Sequence, residues 1–267
     1  MQTDRPVRFQ HTASPLDLSA RRRRILGFPV DDVTLPETIQ LVQHWCETAE
    51  TLQQIVTLNP EMVMAARRDP VFRAVVEAAA LVTPDGVGLT LAARLLGTPL
   101  RARVTGVDLV EALAATGLRL FLLGAAPGVA DRAGEELERR FHATVVGTWA
   151  GSPAAADSAE ALARIAAACP HVLCVAYGAP AQDCWIARHR AALSEAGVRV
   201  AIGVGGTFDY LAGVVARPPA AIRRLGLEWL YRLIRQPWRW RRQLVLPHFA
   251  ALALWAAIRW RLGRAAA

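Results

Sequence analysis

The chain has 267 residues, of which 53% are hydrophobic, and it carries a formal net charge of +8 at pH 7. This length accommodates one large or two small domains, and the basic charge favours nucleic acid, an anionic membrane or a phosphate-bearing substrate as the partner. The four cysteines, at positions 46, 169, 174 and 184, have no metal-ligand or C-x-x-C spacing, which argues against a metal centre and is typical of reduced thiols in the cytoplasm.

The first 24 residues are polar and end in four consecutive arginines, Arg21 to Arg24. No apolar segment follows this basic run, so the pattern is not that of a secretory signal peptide. We predict that residues 1–24 form a disordered basic tail. Contact of these arginines with anionic lipid headgroups stays open.

Residues 25–213 are predicted to form one α/β domain, because short apolar strands alternate with helices of about 10–15 residues. The predicted strands are 25–30, 55–56, 81–82, 118–124, 144–147, 171–177 and 199–204, and the predicted helices are 34–49, 60–80, 89–96, 108–115, 129–141, 158–169 and 182–196. This alternation indicates a Rossmann-like, mainly parallel sheet flanked by helices.

Polar side chains follow two of these strands. Thr57 and Asn59 come directly after the first apolar run, and Asp85 comes after the next one. A strand, helix, strand unit predicts two parallel strands, and ligands of parallel sheets bind beyond the carboxyl ends of such strands. Gly86 would let the backbone approach a ligand closely. Because an Asp-Gly pair is also typical of a simple turn, these residues alone leave the role of Asp85 open.

The last fifth of the chain differs in composition. Between Arg217 and Arg264 it contains eleven arginines, five of the eight tryptophans and one acidic residue, Glu228. Arginine beside tryptophan is typical of helices in the lipid interface, so we predict that residues 214–267 form a basic, helical, membrane-associating appendage. The alternative is a set of helices packed on the protein's own core. The apolar run at 249–258 is too short to span a bilayer, which takes about 20 residues.

Six sequence blocks occur in an order that matches a known enzyme family. They are "TLNP" at position 57 with "PDGVG" at 84, "RVTGVDLV" at 103, "FLLGAAPGVA" at 121, "YGAPAQDCWI" at 177, "GVGGTFDYLAG" at 203, and "RPP…LEWLYRLIRQPWR" from 217. Over residues 25–242 the chain resembles the WecG/TagA/CpsF family of bacterial glycosyltransferases, glycosyltransferase family 26.

The resemblance implies an inverting transfer of a sugar from a UDP-sugar to a polyprenyl-diphosphate-linked sugar, in surface or exopolysaccharide biosynthesis. Relatives are thought to transfer N-acetylmannosamine, its uronic acid or glucose. Asp85 matches the family's proposed base for the acceptor hydroxyl. Thr57 and Asn59 match positions that hold the sugar and the developing charge, and Gln182 matches a residue that contacts the sugar. Asp183 stands where the family usually has Glu, and we assign it no role.

The resemblance also implies residues that bind the leaving diphosphate and the nucleotide. Arg217 and Arg224 match positions proposed to grip the diphosphate, since guanidinium groups suit phosphate oxygens. Simple surface charge is the alternative for both. Arg103 and Asp108 are family-typical, and either pair with each other or contact the ligand.

Strand ends supply the remaining candidates. Gly124 and Gly206 lie where a nucleotide would bind. Asp209 would either orient the uridine or ribose or only cap the next helix. We find no G-x-G-x-x-G fingerprint, which argues against an oxidoreductase. We also find no D-x-D pair in a suitable loop, and the family is thought to work without a metal, so we expect neither a metal nor another cofactor.

Two functions of different classes fit the sequence. The first is a peripheral enzyme on the cytoplasmic face of the bacterial inner membrane. It would use a UDP-sugar, a polyprenyl-linked acceptor and an anionic membrane surface, without nucleic acid, and the chain could form a homo-oligomer. The second is a non-catalytic basic α/β module that holds nucleic acid or an anionic membrane. Thermal stabilisation by UDP but not by RNA would separate the two.

Overall fold

The computed structural model describes residues 16–237 and 240–265, apart from the side chains at positions 220, 224 and 263–265. The strands are β1 (Arg22–Ile25), β2 (Phe28–Asp31), β3 (Gln53–Leu58), β4 (Leu81–Pro84), β5 (Arg119–Gly124), β6 (Thr144–Trp149), β7 (Val172–Ala176) and β8 (Val200–Gly203). The helices are α1 (Leu35–Thr48), α2 (Pro60–Ala66), α3 (Pro70–Ala78), α4 (Val87–Leu95), α5 (Gly106–Ala114), α6 (Val129–Phe141), α7 (Ala155–Ala168), α8 (Ala181–Arg188), α9 (Arg190–Glu195), α10 (Thr207–Leu211), α11 (Ala220–Arg224), α12 (Glu228–Arg235), α13 (Trp240–Gln243) and α14 (Val245–Ala265).

A six-stranded sheet in the order β4-β3-β8-β7-β5-β6 forms the centre of the fold. All neighbouring strands in it are parallel, which confirms the predicted Rossmann-like α/β class. β3 and β4 are direct neighbours, with Thr57 opposite Thr83. The carboxyl ends of β3, β4, β7 and β8 therefore meet at one edge of the sheet.

Side chains of successive strand residues enter hydrophobic cores on opposite faces of the sheet. Leu120 and Leu122 of β5 pack in one core with residues of α1, α5, α6 and α10. Phe121 and Leu123, which alternate with them, pack on the other face with α7, α8 and α9. Strands buried on both faces read as continuous apolar runs, which explains why the sequence indicated them so clearly.

Three predicted elements are wrong in their boundaries. The predicted strand 25–30 is a hairpin in which β1 pairs antiparallel with β2, so Arg22 to Arg24 are strand residues and not part of a disordered tail. Residues 1–15 of the predicted tail lie outside the described residues. The predicted helix 60–80 is divided into α2 and α3, because Asp69 accepts the N–H groups at the start of a new helix. The predicted helix 182–196 is likewise divided, at His189.

The C-terminal segment is helical, as predicted, and packs on the protein. On α14 the side chains of Phe249 and Ala253 are buried in a core shared with α2, α3 and α4. Other apolar side chains of α14 stay exposed, including Leu254 and Trp255, each 55% exposed. One face of this helix is therefore core and another faces outward. Within the described residues, no helix is both long and apolar enough to cross a membrane.

A buried carboxylate, Asp31, helps to attach the hairpin to the sheet. Asp31 is completely buried and accepts hydrogen bonds from Arg22 Nε (2.8 Å) and Nη2 (2.9 Å) and from the backbone N–H of Val82 in β4 (2.7 Å). Removing the Asp31 carboxylate would leave the buried Val82 N–H without its acceptor and the Arg22 guanidinium, whose side chain is 32% exposed, without its counter-charge.

We therefore predict that Asp31→Ala lowers the free energy of unfolding by roughly 3 kcal/mol. Glu77→Ala is the matched control, because Glu77 pairs with Arg24, whose side chain is 58% exposed, and should cost less than about 1 kcal/mol. Urea unfolding of both variants provides the comparison. Equal losses in the two variants would contradict the anchoring role of Asp31.

Candidate active site

A cleft of about 690 Å³ lies at the carboxyl edge of the sheet. Its lining includes the residue or loop that follows each of four strands: Asn59 after β3, Asp85 after β4, Tyr177 after β7 and Val204 after β8. The C-terminal helices α12 and α14 form the facing wall. The position is the one expected for a ligand site in an open parallel sheet.

Asp85 lies deep in this cleft and is partly accessible from it. Its backbone N–H donates to the carbonyl of Leu58 (2.8 Å), which fixes the loop after β4 beside the end of β3. Burial raises the pKa of Asp85 to about 7, against the opposing effect of the Arg103 guanidinium and with a further increase from Glu228. A carboxylate with such a pKa is poised to accept a proton near neutral pH.

Thr57 and Asn59 line the same cleft, and both also have structural hydrogen bonds. Thr57 is buried, and its hydroxyl donates to the carbonyl of Gly203 at the end of β8 (2.9 Å). Asn59 caps α2, because its Oδ1 accepts the N–H of Met62 (3.0 Å). Thr57 therefore offers a ligand only acceptor lone pairs, and Asn59 offers its amide N–H groups.

Gln182 connects two cleft loops. Its Oε1 accepts N–H groups from Gly178 (3.1 Å) and Gly205 (3.0 Å), so this oxygen is committed to the protein. The neighbouring Asp183 is fully buried. Burial raises the pKa of Asp183 to about 7. Sequence reasoning assigned Asp183 no role, and the structure places it outside the cleft lining.

Three arginines of the described part of the chain line the cleft. Arg103 donates to Glu228 of α12 (2.6 Å), Arg232 of α12 donates to Asp209 (3.3 Å), and Arg242 forms an ion pair with Glu61 (3.1 Å). The sequence identified Arg103 and Asp209 but missed Glu228, Arg232 and Arg242. The signal for Glu228 was its position as the one acid in the basic segment.

Three other sequence candidates, Arg217, Asp108 and Gly124, are not brought into this arrangement. Arg217 pairs with Asp108 and with Glu111 (2.6 Å), and neither Arg217 nor Asp108 lines the cleft. Gly124 also lies outside the lining, at a point where a Cβ would collide with the backbone of Ala176. The side chain of Arg224 lies outside the described residues. Gly86 and Gly206, in contrast, are both at the cleft.

The model of the glycosyl transferase WecG/TagA/CpsF family matches residues 23–263. The chain belongs to this family. This glycosyltransferase is 36% identical, over 204 residues, to an N-acetylglucosaminyldiphosphoundecaprenol N-acetyl-beta-D-mannosaminyltransferase of Bacillus spizizenii, and the match covers 75% of this chain and 78% of that protein. A protein of the same name from Bacillus subtilis strain 168 is 33% identical with the same coverage.

No group of three or more His, Cys, Asp or Glu side chains suited to holding a metal ion occurs in the part of this glycosyltransferase that the structure describes. Metal-free catalysis stays a prediction from the family resemblance. Among the described side chains, the positive charge at the cleft comes from Arg103, Arg232 and Arg242.

The raised pKa of Asp85 predicts a pH-dependent gain in stability for Asp85→Asn. Folding favours the protonated carboxyl, so ionisation of wild-type Asp85 costs stability as the pH rises from about 4 to about 7. The amide cannot ionise. We expect Asp85→Asn to match the wild type near pH 4 and to exceed its free energy of unfolding at pH 8, by at most about 4 kcal/mol.

Urea unfolding of the wild type and of Asp85→Asn at pH 4, 6 and 8 measures this difference. A variant no more stable than the wild type at pH 8 would show that Asp85 is not desolvated.

Proposed function

We propose that the protein transfers N-acetylmannosamine from a UDP-sugar to a polyprenyl-diphosphate-linked N-acetylglucosamine, with inversion, and that Asp85 is the general base. The observation that carries the proposal is a cleft at the carboxyl edge of the sheet that brings Asp85 together with Arg103, Arg232 and Arg242. Burial in this cleft raises the pKa of Asp85 to about 7. The names of the two Bacillus relatives support the choice of both sugars.

The chemistry needs one proton acceptor and one stabilised leaving group. A hydroxyl of the acceptor sugar attacks the anomeric carbon of the donor, and its proton passes to the Asp85 carboxylate. The new carbon–oxygen bond forms as the bond from the anomeric carbon to the diphosphate breaks, and UDP leaves with the bonding electrons. Asn59 is placed to donate hydrogen bonds to the sugar, and Thr57 to accept one.

The charge that develops on the diphosphate meets several positive groups. Arg103, Arg232 and Arg242 line the cleft, each held by a carboxylate. The amino end of α4 also lines it, and its first residue follows Gly86, which provides no side-chain cap. Uncapped N–H groups at a helix start favour phosphate oxygens. Arg232 takes the diphosphate role that the sequence had suggested for Arg217.

We further propose that the enzyme works as a peripheral protein on the cytoplasmic face of the inner membrane, where a polyprenyl-linked acceptor would be presented. The exposed apolar side chains of α14, with Arg259 stacked 4.8 Å from the Trp255 ring, are typical of a helix in the lipid interface. The direct test of the reaction is a panel of UDP-sugars incubated with N-acetylglucosaminyl diphosphate lipid and assayed for UDP release. Release with UDP-N-acetylmannosamine is expected, and release with another donor only would overturn the choice of sugar.

Asp85→Asn should reduce transfer by about 10²–10⁴-fold, the usual contribution of a positioned base. The wild-type kcat/KM should rise with pH and reach half its maximum near pH 7, because only the deprotonated carboxylate accepts a proton. Asp183→Asn is the matched control, since it alters a buried carboxyl with the same raised pKa outside the cleft. It should keep transfer within about tenfold of wild type and retain the acidic limb.

Single-turnover transfer at saturating donor, measured from pH 5 to 9, checks this prediction. If Asp183→Asn and Asp85→Asn lose transfer equally, the proton acceptor is not Asp85.

Arg232→Gln should weaken UDP binding by about tenfold or more, because a charge-assisted hydrogen bond contributes roughly 1.5–3 kcal/mol. Arg217→Gln, which removes the same charge from the same basic segment but outside the cleft, should bind UDP like the wild type. Isothermal titration with UDP, in EDTA and then in magnesium, measures both variants. An equal loss in both would mean that general basic charge, and not the cleft arginine, holds the diphosphate.

A further inference from the structure

The cleft continues from its polar end into an apolar groove between α4 and α14. The groove is defined by Leu91 and Leu95 of α4 and by Leu246, Ala250 and Ala253 of α14, all of which line the cleft. On α4, Leu91 and Leu95 are one helical turn apart. On α14, Leu246 and Ala250 are also one turn apart, and Ala253 follows three residues later. Two apolar stripes therefore face each other.

Two packing contacts hold the helices side by side along this groove. The Phe249 ring lies close to Gly88 at the start of α4, where an added Cβ would come within 3.7 Å of it, and the Trp260 indole lies over Gly97 just beyond the end of α4. Alanine at positions 250 and 253 leaves space opposite the leucines. From Gly88 to Leu95 the groove runs about 10 Å, at 1.5 Å per helical residue.

The apolar leucines of the groove are exposed to solvent. Leu91 is 51% exposed and Leu95 is 38% exposed. Apolar side chains that line a cleft and keep this much exposed surface gain free energy when a ligand covers them. The same cleft is lined by Arg103, Arg232 and Arg242, so it suits a ligand with an anionic head and a hydrocarbon tail.

We propose that the apolar groove binds the first isoprene units of the acceptor's polyprenyl chain, next to the diphosphate. This inference rests on the proposed function for the identity of the acceptor. The groove belongs to the acceptor because a UDP-sugar has no apolar chain to place there. Binding the tail between α4 and α14 positions the acceptor sugar in front of Asp85 while the remaining chain passes outward along the exposed face of α14.

The experiment measures the Kd of isopentenyl, geranyl and farnesyl diphosphate, each below its micellar concentration and without a donor sugar. These probes have the diphosphate and an increasing length of the same chain. Each buried methylene lowers Kd by up to about fourfold, so wild-type Kd should fall by at least about tenfold from isopentenyl to farnesyl diphosphate. In Leu91→Gln and Leu95→Gln this ratio should fall towards one.

Leu254→Gln is the matched control, because Leu254 is 55% exposed on α14 and does not line the cleft. Its Kd ratio should equal that of the wild type. Ala250→Trp, which fills the groove from an exposed position, should abolish the chain-length effect and provides a second test if a Gln variant unfolds.

The proposal is overturned if the chain-length effect survives in Leu91→Gln, Leu95→Gln and Ala250→Trp. It is also overturned if the effect is lost in Leu254→Gln alone. Either result would assign the tail to the outer face of α14. A wild-type Kd independent of chain length would overturn the proposal as well. Because these measurements need no sugar transfer, failure of the groove is distinct from failure of the proposed reaction, which only the UDP-release assay reports.

Discussion

The convergence of four parallel strand ends is the constraint on which the site depends. β3 and β4 pair in parallel on one side of β8, and β7 pairs on the other, so the loops that follow them share one edge of the sheet. Hydrogen bonds between loops then fix the geometry: Thr57 donates to Gly203, and Gln182 accepts from Gly178 and Gly205. The polar side chains at this edge therefore use some of their hydrogen-bonding groups within the protein, and the groups that are left are available to a ligand.

In the cleft, the unfavourable burial of the Asp85 carboxylate is partly offset by a nearby cation. Burial alone would favour a neutral Asp85, and Arg103 partly restores its charge. Arg103 is in turn neutralised by Glu228, so the site keeps a carboxyl whose protonation changes near neutral pH. Desolvation of this kind lowers stability while it raises basicity, which is the usual trade between stability and activity.

The C-terminal segment has two roles because its helices have two kinds of surface. α12 supplies Glu228 and Arg232 to the cleft, and α14 supplies Phe249 to the core and an apolar stripe to the groove. Its other face exposes Trp255 and its neighbours. The sequence posed membrane interface and packed core as alternatives. The structure shows a packed face together with an exposed one, so removing this segment would remove a wall of the site.

The sequence by itself determined the parallel α/β class and the placement of Thr57, Asn59 and Asp85 at strand ends, because these features depend on local periodicity and on the direction of the chain. It did not determine which arginine lines the cleft. Arg217 and Arg232 belong to one basic segment, and local charge is alike around both. Only the packing of α12 across the strand ends brings Arg232 to the cleft, whereas the Asp108 and Glu111 carboxylates hold Arg217 away from it. Long-range packing decides such contacts, and it leaves no local pattern in the sequence.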